Sequence, residues 1–226
     1  MVEITKFKPI YLICEQGVSP DHVLVAIEGI NEVLALAGVV DCIQVHNFGI
    51  WRNEPWRSGD KLLPHCSVDW YIDVGKEQST QQNQIWSRAI IHQMAQDPWQ
   101  KEGQHYDVMV LRSDLYENGC NFIIGQAMEG VLALISVNRF LSLDNDLQRE
   151  CIKSVMIHEI GHMFGLPRQN RTDGTITESL GNHCTNICIM RQGLAIPKDF
   201  IFLTQDRLRN GPFCENCLDE LRQFFQ

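Results

Sequence analysis

The chain has 226 residues, with 19 Lys and Arg against 28 Asp and Glu, a formal net charge of −9, and 44% hydrophobic residues. That is enough to build a sizeable core, and it excludes disordered and fibrous classes. The acid excess, without a basic run, works against counterion-release binding to nucleic acid or anionic lipid, so neither is an expected partner.

No segment approaches the roughly 18 apolar residues of a membrane span. The apolar stretch Pro9 to Cys14 is too short for a signal peptide and lacks a small-residue cleavage site, so a cytoplasmic location is expected. Nine cysteines, an odd number, then read as metal ligands or buried thiols, not as a disulfide framework.

Residues 9–14 read as a strand. Ser19-Pro20-Asp21 opens a helix that runs to Gly38. Strands are expected over 41–45 and 67–74, a loop over 49–63 and a helix over 82–95. Tyr106 to Leu111 reads as a buried strand, and 122–127 with 131–137 as a hairpin around Met128-Glu129-Gly130. Asp144 or Asn145 caps a helix running through Phe164, with Gly165 at a left-handed cap and Pro167 beyond. This order of elements predicts an α/β layer with a partly parallel sheet. The scattered Trp and Phe residues read as core.

The last helix carries His158-Glu159-Ile160-Gly161-His162. Residues four apart on a helix differ by only about 40° in direction, so both imidazoles can reach one zinc ion. Glu159, about 100° round from His158, can contact a zinc-bound water without occupying a ligand position, which suits a general base. A catalytic zinc needs a third protein ligand. His183 is the next histidine, and before it the polar stretch from Arg168 to Asn182 reads as a mobile loop, expected to act as a lid favouring short or unfolded peptides. Cys184, Cys188, Cys214 and Cys217 have spacing for a four-thiolate zinc site, with buried small hydrophobes or a redox pair as the plainer reading. Cys14, Cys42, Cys66, Cys120 and Cys151 lack such spacing and read as core, and His22, His46, His65, His92 and His105 as surface or packing residues.

At these residues the sequence resembles the archaemetzincins, marked by H-E-x-x-H-x-x-G-x-x-H-C, a further Cys, a Met and a C-x-x-C pair. Ser113-Asp114-Leu115-Tyr116, Asn121 to Ala127 and Ser136-Val137-Asn138-Arg139 resemble the family's strand and upper hairpin, so the likeness runs over about residues 105–220. It implies a metzincin-like mixed twisted α/β sheet with an active-site helix and a small C-terminal zinc-binding subdomain. It further implies a catalytic zinc on His158, His162 and His183, Glu159 as base, Met190 beneath the zinc and a structural zinc on the four cysteines. The strand from Val131 to Val137 would hold an extended peptide by edge pairing. The chain departs from the pattern in three places: the residues added between Gly165 and His183, three residues instead of four between Cys184 and Cys188, and a longer segment from Met190 to Cys214.

The expectation is therefore a two-zinc metallopeptidase domain over 1–226, divided near residue 166, that hydrolyses peptide or unfolded protein by Glu-activated water. Two alternatives stand beside it. One is a gluzincin-like site with Glu178 as third ligand, and the other a catalytically silent, zinc-stabilised peptide-binding protein.

Overall fold

The computed structural model describes residues 6–178 and 180–226. In chain order the strands and helices are β1 (Ile10–Cys14), α1 (Pro20–Ala37), β2 (Val45–Gly49), β3 (Arg57–Ser58), β4 (Lys61–Leu62), α2 (Val68–Glu77), β5 (Gln84–Trp86), α3 (Ser87–Ala95) and α4 (Trp99–Glu102). There follow β6 (Tyr106–Leu111), β7 (Asp114–Glu117), β8 (Cys120–Ile123), β9 (Gly125–Met128), β10 (Leu132–Ser136), α5 (Asn145–Met163), β11 (Thr175–Glu178), β12 (Gly181–Cys184), α6 (Lys198–Asn210) and α7 (Glu215–Phe224).

The central sheet has the order β2-β1-β6-β10-β9. β1 runs parallel to β2 and β6, β10 runs parallel to β6, and only β9 is antiparallel. Side chains alternate across the strands. Ile10, Leu12, Val108, Val110, Ala133 and Ile135 enter the core layer that holds buried residues of α1 and α5, whereas Ile13, Met109, Leu111, Leu132 and Leu134 face the layer under α2 and α3. The polar rows typical of a one-sided sheet are therefore missing from β6 and β10, which are buried throughout. α5 packs against α1, β9, β10 and α6, so its C-terminal half is buried on nearly all sides, polar residues included. Asp144 caps it by accepting from Leu147 N, and the chain leaves it through Gly165 at φ +76°.

Three sequence expectations are corrected. Residues 68–77 form a helix, not a strand: Ser67 accepts from Trp70 N, and Val68, Tyr71, Ile72 and Gly75 are buried at helical spacing. β2 begins at Val45, where the expected strand ends. The expected helix over 82–95 starts only at Ser87, because Gln84–Trp86 pairs with β7. No helix among the described residues is long and apolar enough to cross a membrane.

Candidate active site

Helix α5 brings His158 and His162 to one face, and strand β12 carries His183 to them. The coordinating atoms of the three side chains lie within 4.8 Å of one another. His158 Nδ1 donates to Ile189 O and His162 Nδ1 to Leu166 O, each at 2.6 Å. A carbonyl can only accept, so these bonds put the protons on Nδ1 and leave both Nε2 lone pairs free. The two Nε2 atoms stand 3.1 Å apart. Burial and the neighbouring imidazoles hold His158 well below the usual histidine range, and burial followed by His183 lowers His162 to about 3. Burial likewise lowers His183. Neutral imidazoles with facing lone pairs repel unless a cation sits between them. Tetrahedral zinc at about 2.0–2.1 Å from each nitrogen separates such atoms by roughly 3.3 Å, so the donor set fits that ion. Glu178 is exposed and lies outside this cluster.

Glu159 is 3% exposed, and its Oε2 meets no hydrogen-bond donor among the described residues. Burial pushes its carboxyl up to about 8. Gly125, the first residue of β9, lies against this carboxylate, because a Cβ there would stand 2.5 Å from Glu159 Cγ, Cδ and Oε1. Met190 is fully buried, and a Cβ on Gly161, just before His162, would overlap its Sδ. The three histidines and Glu159 line a cavity of about 420 Å³, walled on one side by Gly125, Gln126 and Ala127 of β9. Asp114 and Arg139 form a two-point ion pair, with Nε and Nη2 donating at 2.9 and 2.6 Å, and the guanidinium covers the Phe122 ring. These contacts tie β7 and β8 to the chain after β10, beside the cleft.

Cys184, Cys188, Cys214 and Cys217 form the second cluster, with sulfurs within 4.8 Å of one another. Cys184 and Cys214 are 3.8 Å apart, far beyond a disulfide bond and close to the roughly 3.8 Å edge of a tetrahedron with zinc–sulfur distances of about 2.3 Å. All nine cysteines are free. Cys14 and Cys151 are buried as expected and Cys120 is half-buried against the second core layer, but Cys42 is exposed and Cys66 only half-buried, so the core reading fails for those two.

The profile of Peptidase family M54 matches residues 88–223. The chain belongs to that family. The archaemetzincin of Archaeoglobus fulgidus is 33% identical over 115 residues, which cover 50% of this chain and 58% of the relative. That of Methanopyrus kandleri is 43% identical over 125 residues, covering 54% and 59%. The matches thus span little more than half the length of these relatives. Among solved structures, the A. fulgidus archaemetzincin complexed with malonate superposes with a TM-score of 0.57 at 20% identity, covering 94% of this chain and 99% of that one. The M. kandleri archaemetzincin gives 0.53 at 21% identity, over 96% and 94%. At such identity these structures speak for the fold, and they agree with the mixed α/β architecture. M54 membership covers α5, both clusters and the cleft, while β1, α1, β2 and α2 lie outside the matched segment.

Two sequence expectations about the cleft are overturned. The strand after the hairpin turn cannot accept a peptide, because β10 is paired on both sides, with β6 and with β9; the sheet edge is β9. The stretch from Arg168 to Asn182 is not an irregular loop. Its second half is the antiparallel pair β11–β12, which registers Ile176 opposite His183 and Thr175 opposite Cys184. Its first half is pinned by Arg171, whose Nη1 donates to Cys217 Sγ at 3.4 Å and to Glu220 at 3.2 Å, and whose Nη2 donates to Cys184 Sγ at 3.1 Å and Gly174 O at 3.0 Å. Glu178, Gly181 and Asn182 of this segment line the cleft. Sequence reasoning missed Arg171, the structural use of Gly125, the Leu166 and Ile189 carbonyls, and Phe200, whose ring meets His158 edge-on at 5.7 Å. None has a local signature.

Proposed function

We propose that this chain is a zinc metallopeptidase with a catalytic ion on His158, His162 and His183 and a structural ion on Cys184, Cys188, Cys214 and Cys217. The observation that carries the reading is the pair of Nε2 atoms 3.1 Å apart, each imidazole oriented by a carbonyl, beside a buried carboxylate with an unused oxygen. Zinc bound there supplies a Lewis acid that polarises a carbonyl and lowers the pKa of water towards about 7. Glu159 takes the proton of the attacking water at Oε2 and returns it to the leaving amine nitrogen. The Ile189 and Leu166 carbonyls hold two imidazoles in one tautomer and orientation. The edge of β9 offers ladder groups to an extended peptide or unfolded segment, and Gly125 leaves the space that the base occupies. Free thiols throughout fit a reducing compartment such as the cytoplasm.

The test joins elemental analysis to a peptide-library assay. The wild-type chain is expected to hold two zinc ions and cleave peptides. Glu159→Gln should keep both ions and lose turnover by about a hundredfold or more, the usual range for removing a general base. Retained zinc with no hydrolysis of any peptide by the wild type would favour the silent peptide-binding protein, and unchanged turnover in the variant would refute the role of Glu159.

A further inference from the structure

A second cavity, of about 350 Å³, lies on the α2 and α3 side of the sheet, where Ile13 and Tyr71 belong to the core layer opposite α5. Much of its lining falls outside the segment matched by family M54, including Tyr11, Phe48, Trp51 and Tyr71. Its walls are aromatic. Tyr11 and Phe48 meet edge-to-face with centroids 5.0 Å apart, and Trp51 and Trp99 do so at 6.3 Å. These rings are not closed core, contrary to the expectation for Trp and Phe: Phe48 is 47% exposed, and Trp51 and Trp99 are half-buried.

Three acids sit among these rings. Asp107, buried, accepts from Gln100 Nε2 at 3.0 Å and faces His105 Nε2 at 3.3 Å, so a protonated His105 offsets its charge. Glu102 is exposed. Asp97 is the odd member. It is 7% exposed and accepts from the Tyr71 hydroxyl, which also meets His65 Nδ1 at 3.3 Å, and from Trp99 N at 2.9 Å; the charges of His65 and His105 act on it from a distance, but no Lys, Arg or His nitrogen reaches it at ion-pair distance among the described residues. Buried carboxylates ordinarily find a cationic partner, and aromatic faces attract cations through the ring quadrupole. A bare metal ion would leave the ring faces unused, and a neutral aromatic ligand would leave Asp97 without an ion-pair contact. An alkylated ammonium uses both.

We propose that this cavity binds a small organic cation, an alkylammonium whose charged head lies beside Asp97 and whose alkyl groups lie against Trp51, Trp99, Tyr11 and Phe48. At roughly 30 Å³ per water-sized group, the cavity holds a ligand of about ten non-hydrogen atoms. The site is separate from the zinc-binding histidines and does not depend on peptidase activity.

The experiment uses the full zinc-loaded chain, with tryptophan indole resonances as the readout and three probes: choline, butylammonium and dimethylbutanol, the uncharged carbon analogue of choline. At least one ammonium probe should saturate and shift the indole signals, at least about tenfold (about 1.4 kcal/mol) more tightly than dimethylbutanol, since the ring faces and Asp97 both favour the cation over its uncharged analogue. Trp51→Leu should weaken that binding by about tenfold with zinc content unchanged, and Asp97→Asn should do the same if it folds. Equal binding of dimethylbutanol, no saturable binding of either ammonium up to about 10 mM, or undiminished binding by folded Trp51→Leu would overturn the proposal.

Discussion

Replacing Gly125 by Ala tests the placement of the base without touching any candidate ligand. Gly125 does not have a positive φ, so alanine meets no backbone penalty there. The obstacle is steric: the added Cβ would stand 2.5 Å from three atoms of the Glu159 side chain. Ordinary carbon contacts lie near 3.5–4.0 Å, so the carboxylate and β9 must separate by about 1 Å. Glu159 is buried between its own helix and β9 and lines the cleft, so any such separation displaces the carboxylate within the site. A misplacement of about 1 Å in a catalytic group costs on the order of a hundredfold in rate, while overpacking of one methyl costs about 1–3 kcal/mol of stability. The expected variant is folded, binds two zinc ions and has kcat lowered by about a hundredfold with KM little changed. Turnover of a fluorogenic peptide, elemental analysis and thermal unfolding measure the three quantities. A folded, two-zinc variant with kcat within about twofold of wild type would refute the reasoning.

Arg171→Met removes a buried guanidinium that donates to two cluster sulfurs and to Glu220. Hydrogen bonds to charged groups are worth about 1.5–3 kcal/mol, so unfolding stability should fall by about 2–3 kcal/mol, and one zinc should pass faster to a chelator. Unchanged release kinetics would remove the guanidinium from the cluster's support. His183→Ala should abolish binding of the catalytic ion while Glu178→Ala keeps it, as elemental analysis will report; the reverse would transfer the third ligand to Glu178. A pH effect follows from His105. Burial lowers its pKa, but the hydrogen bond and charge of Asp107 outweigh burial and raise it above the usual value. The pair's contribution is full below about pH 6.5 and is lost as pH rises through the raised folded-state value. Urea unfolding from about pH 5.5 to 8.5 should show this loss in the wild type and not in Asp107→Asn.

The helix bearing His158, Glu159 and His162 was legible because its signals are local: Asp144 at the cap, a 3.6-residue spacing and Gly165 at the exit. The four cysteines were legible by spacing as well. Residues 67–74 misled because Val68, Trp70 and Ile72 alternate like a strand while Val68, Tyr71, Ile72 and Gly75 also keep helical period; the Ser67 cap and packing against α3 decide for helix. Which strand forms the sheet edge depends on pairing between segments far apart in sequence, so β10 and β9 could not be ranked beforehand. The polar segment after Pro167 gave no apolar signal, and its order comes from Arg171 reaching sulfurs 13 and 46 residues away.

His183 and Cys184 are consecutive residues in different clusters, and Cys188, Ile189 and Met190 are respectively a cluster thiol, the acceptor for His158 and the side chain under Gly161. The segment from 183 to 190 is thus anchored at both ends, and the residue fewer between Cys184 and Cys188 is absorbed between two thiols that still lie within 4.8 Å of each other. The stretches on either side, 168–182 and 191–213, carry none of the clustered histidines or cysteines. Chain added there costs little, since doubling a loop adds only about 0.6 kcal/mol of closure entropy. Two of the three departures from the archaemetzincin pattern are lengthenings, and both fall in these stretches. Gln169 and Asn182 of the first stretch and Gln192 and Leu194 of the second line the cleft, so chain added near them lies beside the histidines without containing any of them.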